Sequence, residues 1–234
     1  METKFQATVL TIFPELFPGP LGHSLAGKAL RNDIWSMNVV DIKEYGITKH
    51  KNVDDEPYGG GDGMVMRPDV LGAAIEDAIE RSKTNIIYYM SPRGKLLNQN
   101  VINDITEQKN IIILCGRFAG IDERVIQAYN IIELSLGNFI LSGGEIACYS
   151  LLDACVRLLK DVVGNSLSVL EESFGNLGSK TAILEYPLYT RPEVWNNRVV
   201  PDVLKSGNHQ VISKWRQNQS ETITLERRPD LLNN

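Results

Sequence analysis

The chain runs to 234 residues, 43% of them hydrophobic, with a formal net charge of −5. That length buries a substantial core and fits one large domain, or one domain with a small companion. The acidic balance excludes the global basicity of a protein that coats nucleic acid, though it leaves room for a local basic groove. Cys115, Cys148 and Cys155 are odd in number, lack zinc spacing and sit in apolar runs. They read as buried, reduced thiols of a cytoplasmic protein. The opening METKFQATVLTIF has neither the basic region nor the cleavage site of a signal peptide, and no apolar run is long enough to span a bilayer.

Strand-like and helix-like segments then alternate. A strand over Phe5–Phe13 leads to a helix over Leu21–Arg31. Gly22–Ala29 (GHSLAGKA) nearly matches a phosphate-binding P-loop, but Ala29 stands where Ser or Thr must hold magnesium. Pro14, Pro18 and Pro20 also part it from the strand, so it reads as a helix start. After a strand over Trp35–Ile42, DDEPYGGGDGM (Asp54–Met64) is either a surface hairpin tip or a substrate-facing loop, and the second fits better. A helix over Pro68–Lys83, a strand over Asn85–Met90 and a helix over Asn98–Glu107 follow. Next come a strand over Asn110–Cys115, a helix over Ile121–Tyr129, a strand over Ile131–Leu136 and a helix over Glu145–Lys160.

This order predicts an α/β fold with a mostly parallel sheet covered on both faces. Ligands of such sheets bind beyond the carboxyl ends of the strands. YMSPRGK (Tyr89–Lys95), CGRFAGIDER (Cys115–Arg124) and SLGNFILSGGE (Ser135–Glu145) therefore become three loops at one sheet edge. None carries a dinucleotide fingerprint. Arg157 either pairs with Asp153 four residues earlier or faces the site and stabilises negative charge. Past Lys160 the chain turns irregular. Between 181 and 234, seven Lys and Arg stand against six Asp and Glu, with Trp195 and Trp215 among them. This reads as a small helical domain with short turns. Glu171 and Glu172 sit in the segment before it, where a loop that orders over substrate can carry a general base. His23, His50 and His209 form no metal or triad pattern.

TIFPELF, PYGGGDGMVMRP, SPRG, CGRFAGIDER, LSGGE, YTRPE and the later SGNH and WR occur in one order along nearly the whole chain. In these motifs the sequence resembles the bacterial tRNA (guanine-37-N1)-methyltransferases, of the SPOUT class. The resemblance implies a deep trefoil knot at the C-terminal end of the sheet domain and a small helical C-terminal domain. It divides the chain into a knotted methyltransferase domain (1–160), a flexible linker (161–180) and a tRNA-binding domain (181–234). It implies S-adenosylmethionine as methyl donor, held by Tyr89, Met90, Ser91, Pro92, Gly94, Gly116, Leu136, Gly137, Asn138, Phe139, Ile140, Leu141, Gly143 and Gly144. The same resemblance makes Glu172 the base and Arg157 the catalytic arginine, and puts Gly59, Gly60, Gly61, Ser173 and Arg191 against the substrate. A homodimer with active sites shared between chains follows from it too. The family is also described as needing magnesium, although no residues here form a dedicated metal cage.

The chemistry demands such groups. Guanine N1 carries a proton at neutral pH, and removing it puts negative charge on the ring, partly at O6. A carboxylate must take the proton and a cation must steady O6. The sequence departs from the family at several positions. Glu172 replaces an aspartate, Ala119 a glutamate, Asn138 and Phe139 an Asp-Tyr pair, and Leu188 a histidine. A knotted methyltransferase acting on another RNA nucleoside, and a tRNA-binding module without activity, are the alternatives.

Overall fold

Ile111, Ile112, Ile113 and Leu114 are consecutive, β-branched or bulky, and all fully buried. Such a run has no polar face, which is the mark of a strand sandwiched between two helical layers. In the computed structural model, which describes residues 5–47, 49–164, 172–175 and 183–232, this run is part of the middle strand of a five-stranded sheet. The chain divides into two compact units, Met1–Gly164 and Asn165–Asn234.

In the first unit the elements are β1 (Phe5–Thr11), α1 (Ser24–Arg31), β2 (Trp35–Asp41), β3 (Asp54–Asp55), β4 (Val65–Met66), α2 (Pro68–Ser82) and β5 (Ile87–Leu96). They continue with α3 (Gln99–Thr106), β6 (Asn110–Leu114), α4 (Glu123–Ala128), β7 (Ile132–Ser135) and α5 (Gly144–Val156). The sheet order is β2-β1-β6-β5-β7, with every neighbouring pair parallel. Ile111 and Ile113 pack with α1, α3 and α5, whereas Ile112 and Leu114 pack with α2 and α4. Period-two alternation thus divides one apolar run between two cores. On α2, Val70, Leu71, Ala74, Ile75 and Ala78 repeat at helical spacing and are fully buried. Each fully buried Ile or Leu contributes about 1.5–3 kcal/mol.

Local chemistry sets the helix ends. Pro68 occupies the first turn of α2, and Lys83 closes it in the left-handed region at φ 54°. Asn98 caps α3 by accepting the Val101 N–H at 3.0 Å, and Asp122 caps α4 by accepting from Arg124 at 2.9 Å.

Two expectations need revision. The strand expected to end at Met90 continues as β5 to Leu96, because Ser91–Gly94 form a bulge. Met90 and Lys95 both register against Leu134 of β7, and a Pro and a Gly inside a strand are the usual marks of such a bulge. Gly94 is required there, since a Cβ would lie 2.3 Å from the Glu133 carbonyl carbon. The helix expected to reach Lys160 ends at Val156. The 54–64 stretch is a hairpin excursion between β3 and β4, which pair antiparallel.

The second unit holds a hairpin of β8 (Val194–Trp195) and β9 (Arg198–Val199), then α6 (His209–Arg227). The hairpin was not expected. Asn196 and Asn197, at φ 49° and 59°, form its two-residue turn, the conformation that asparagine tolerates well. Asn208 caps α6 by accepting from Gln210 and Val211. The Tyr189 and Trp215 rings meet at a tilt with centroids 6.4 Å apart, and Arg216 lies 4.6 Å from the Tyr186 ring centroid.

Candidate methyl-donor cleft

At the carboxyl edge of β5, β6 and β7 the three connections close around a cavity of about 280 Å³. One wall is Tyr89–Pro92, running into the β5 bulge. The second is Gly116–Gly120, leaving β6. The third is the turn from Leu134 to Gly144, which feeds α5. Of the expected donor-binding residues, Tyr89, Met90, Ser91, Pro92, Gly116, Leu136, Gly137, Phe139, Ile140, Leu141, Gly143 and Gly144 line it. Gly94 and Asn138 do not. Gly94 packs against the β7 backbone, and Asn138 is exposed.

The walls interlock through backbone. The Gly144 N–H donates to the Gly116 carbonyl at 2.9 Å, and a Cβ on Gly144 would lie 2.7 Å from the Cys115 Cα. Ser135 Oγ accepts the Gly137 N–H at 3.2 Å, fixing the start of the third wall. Burial pushes the Tyr89 phenol above its ordinary value, so it stays neutral on the cleft wall. The lining is mostly main chain, small residues and aliphatic side chains. Among the described residues Arg117 is its one charged side chain.

Arg117 was not singled out in the sequence, and neither was its partner Glu145. Arg117 Nη2 stands 2.8 Å from Glu145 Oε2. Its Nη1 donates to the Ser142 carbonyl at 3.3 Å, and its guanidinium sits 4.5 Å from the Phe13 ring centroid. Glu145, only 1% exposed, also accepts from the Thr11 hydroxyl at 2.8 Å. One buried carboxylate therefore ties β1, the second wall and the start of α5 together. The signal was present in GRFAG and SGGE, whose charged residues adjoin glycine turns. Nothing in their separation of 28 positions foretold a contact.

Gly59, Gly60 and Gly61 lie at the exposed tip of the β3–β4 hairpin, with positive φ and open space around them. The base of that hairpin leans on the second wall, where the Ala119 N–H donates to the Met64 carbonyl at 2.9 Å. Arg157 stands half-buried at the C-terminal end of α5, its N–H donating to the Asp153 carbonyl at 3.1 Å. No group of three or more His, Cys, Asp or Glu among the described residues is placed to hold a metal ion. No described helix is long and apolar enough to cross a membrane.

Glu172, Ser173 and Arg191 belong to the second unit. Glu172–Gly175 form a turn closed by the Gly175 N–H on the Glu172 carbonyl at 2.9 Å, and Arg191 is exposed beside the hairpin. Glu171 lies outside the described residues.

The model of the family tRNA (Guanine-1)-methyltransferase TrmD matches residues 5–234. The chain belongs to this family. It is similar to a tRNA (guanine-N(1)-)-methyltransferase of Rickettsia rickettsii (strain Sheila Smith), 54% identical over 226 residues and 97% of each chain. The protein of the same name from Wolbachia pipientis subsp. Culex pipiens (strain wPip) is 55% identical over 229 residues, 98% of this chain and 97% of its own. A third, from Rickettsia prowazekii (strain Madrid E), is 54% identical over 225 residues. The family match covers both units.

Proposed function

We propose that the chain methylates N1 of guanosine in tRNA, at position 37 beside the anticodon, with S-adenosylmethionine as donor. The observation that carries the reading is the convergence of three chain segments on one cleft that lacks a phosphate motif, within a chain of this family. A donor without phosphates needs main-chain groups and apolar walls rather than a glycine-rich anion cradle. The lining fits that need.

Bound S-adenosylmethionine would supply a methyl group made electrophilic by its sulfonium. The three walls would enclose the donor, and their interlocking glycines support reading them as the crossings of a trefoil knot. Glu172 would take the N1 proton, and Arg157 would stabilise the charge developing at O6. The second unit, with its aromatic and basic side chains, is assigned to tRNA binding. Phe118, Phe139, Ile140 and Ile146 are large, apolar and between 49% and 79% exposed. Their clustering on and beside the second and third walls supports a homodimer that completes each site. A tRNA substrate and buried thiols agree with action in the cytoplasm.

The test is single-turnover methyl transfer to tRNA transcripts carrying guanosine or adenosine at position 37, with nucleosides identified by mass spectrometry. N1-methylguanosine confined to the first transcript is expected. Methylation of another base, or none despite donor binding by calorimetry, overturns the reading. Glu172→Ala should abolish most turnover while sparing donor affinity.

A further inference from the structure

We infer that Thr224 of α6 is a positioning residue for Glu172, acting through a two-rung relay inside the second unit. The inference rests on the reading of Glu172 as the base. Thr224 is fully buried, and its hydroxyl proton is spent on the Ser220 carbonyl at 2.6 Å. The oxygen's lone pair accepts the Leu184 N–H at 2.9 Å. This is the first rung, from α6 to the segment 183–185. The second runs from that segment to the Glu172 turn. The Glu185 N–H donates to Ser173 Oγ at 2.9 Å, and the Phe174 N–H donates to the Ile183 carbonyl at 2.9 Å. Glu172 is thus mounted on α6 rather than on a free linker.

Two further observations support a built device. Phe174 holds φ 67° at the third position of the turn, a conformation that glycine or asparagine normally supplies. Such a conformation is strained for a side chain this bulky and persists where its surroundings over-determine it, most often at functional sites. Arg228, the residue that closes α6, places its guanidinium 6.0 Å from the Phe174 ring centroid. Both central residues of the turn are therefore referred to the helix, so the relay sets where the turn presents the Glu172 carboxylate.

The relay is tested in the full-length enzyme with Thr224→Val, Thr224→Ser and Ser173→Ala, with Glu172→Gln as reference. Thr224→Val leaves the Leu184 N–H without its acceptor at nearly constant volume, and Thr224→Ser restores the oxygen. A displaced base costs about tenfold to a hundredfold in rate. Expected is that fall in kcat for Thr224→Val, with KM for tRNA and the S-adenosylmethionine Kd within about twofold of wild type, and recovery in Thr224→Ser. Ser173→Ala, which leaves α6 intact, should lower kcat at saturating tRNA, and any rise in its KM for tRNA reports the substrate contact expected of Ser173. If Thr224→Val unfolds, the kcat of Ser173→Ala at saturating tRNA decides. Wild-type kcat in Ser173→Ala, or a loss in Thr224→Ser equal to that in Thr224→Val, overturns the relay while a slow Glu172→Gln keeps the base. Wild-type rate in Glu172→Gln overturns the base, and the relay with it.

Discussion

Glu145 is the most exacting single position behind the cleft wall. Its carboxylate is 2% exposed and faces a guanidinium that is 23% exposed. Truncation to alanine removes the Arg117 counter-charge and the acceptor of the buried Thr11 hydroxyl together. Breaking a fully buried ion pair costs about 3–5 kcal/mol. Arg117 can rehydrate in part and keeps the Ser142 carbonyl and the Phe13 ring, so the lower end, about 3 kcal/mol, applies. In a unit of this size that lowers Tm by about 6–12 °C. Glu145→Gln keeps the volume and the Thr11 acceptor and isolates the charge. Because Arg117 links the second and third walls, both variants should also weaken S-adenosylmethionine binding, by about tenfold for 1.4 kcal/mol. Scanning calorimetry reads stability and titration calorimetry reads affinity. A double-mutant cycle with Arg117→Ala should give a coupling of at least about 1.5 kcal/mol. Glu145→Gln melting within a degree of wild type and binding donor normally would refute the argument.

Gly94→Ala should cost about 1–3 kcal/mol or more, because its Cβ meets strand backbone that cannot yield; a melt unchanged within error would show that β5 and β7 can part. The Tyr45 hydroxyl donates to Asp77 at 2.5 Å, and that bond, with Arg81, holds the Asp77 carboxyl below its ordinary value. Its stabilisation is fully present above about pH 4 and is lost as pH falls through the lowered folded value. Tyr45→Phe should therefore cost about 1–2 kcal/mol at pH 7, with the gap narrowing in urea melts near pH 3; an equal gap at both pH values refutes it. Burial and the Asp77 bond push Tyr45 itself up to about 12, so its contribution fades only between about pH 10 and 12. Cys155, buried and pushed up to about 11 by desolvation, should resist alkylation in the native enzyme at pH 8 and react once unfolded; rapid native labelling, read by mass spectrometry, would contradict the core described.

The sequence by itself determined most of the sheet and the location of the cleft. Strand runs such as Ile111–Cys115 are apolar at every position, as expected of a doubly covered parallel strand, and that places the informative loops at one edge. Motif order along the chain also carried the family resemblance. What only tertiary structure decided is contact between residues far apart in sequence. The β5 bulge depends on where β7 passes, so the packing need for glycine at Gly94 became visible only in the fold. The Thr11–Glu145–Arg117 cluster spans 134 positions, and the tie from Thr224 to Leu184 spans 40. No local periodicity encodes either. Both exist because a buried carboxylate or N–H must find a partner once the chain has closed around it, and which partner is near is settled by the fold.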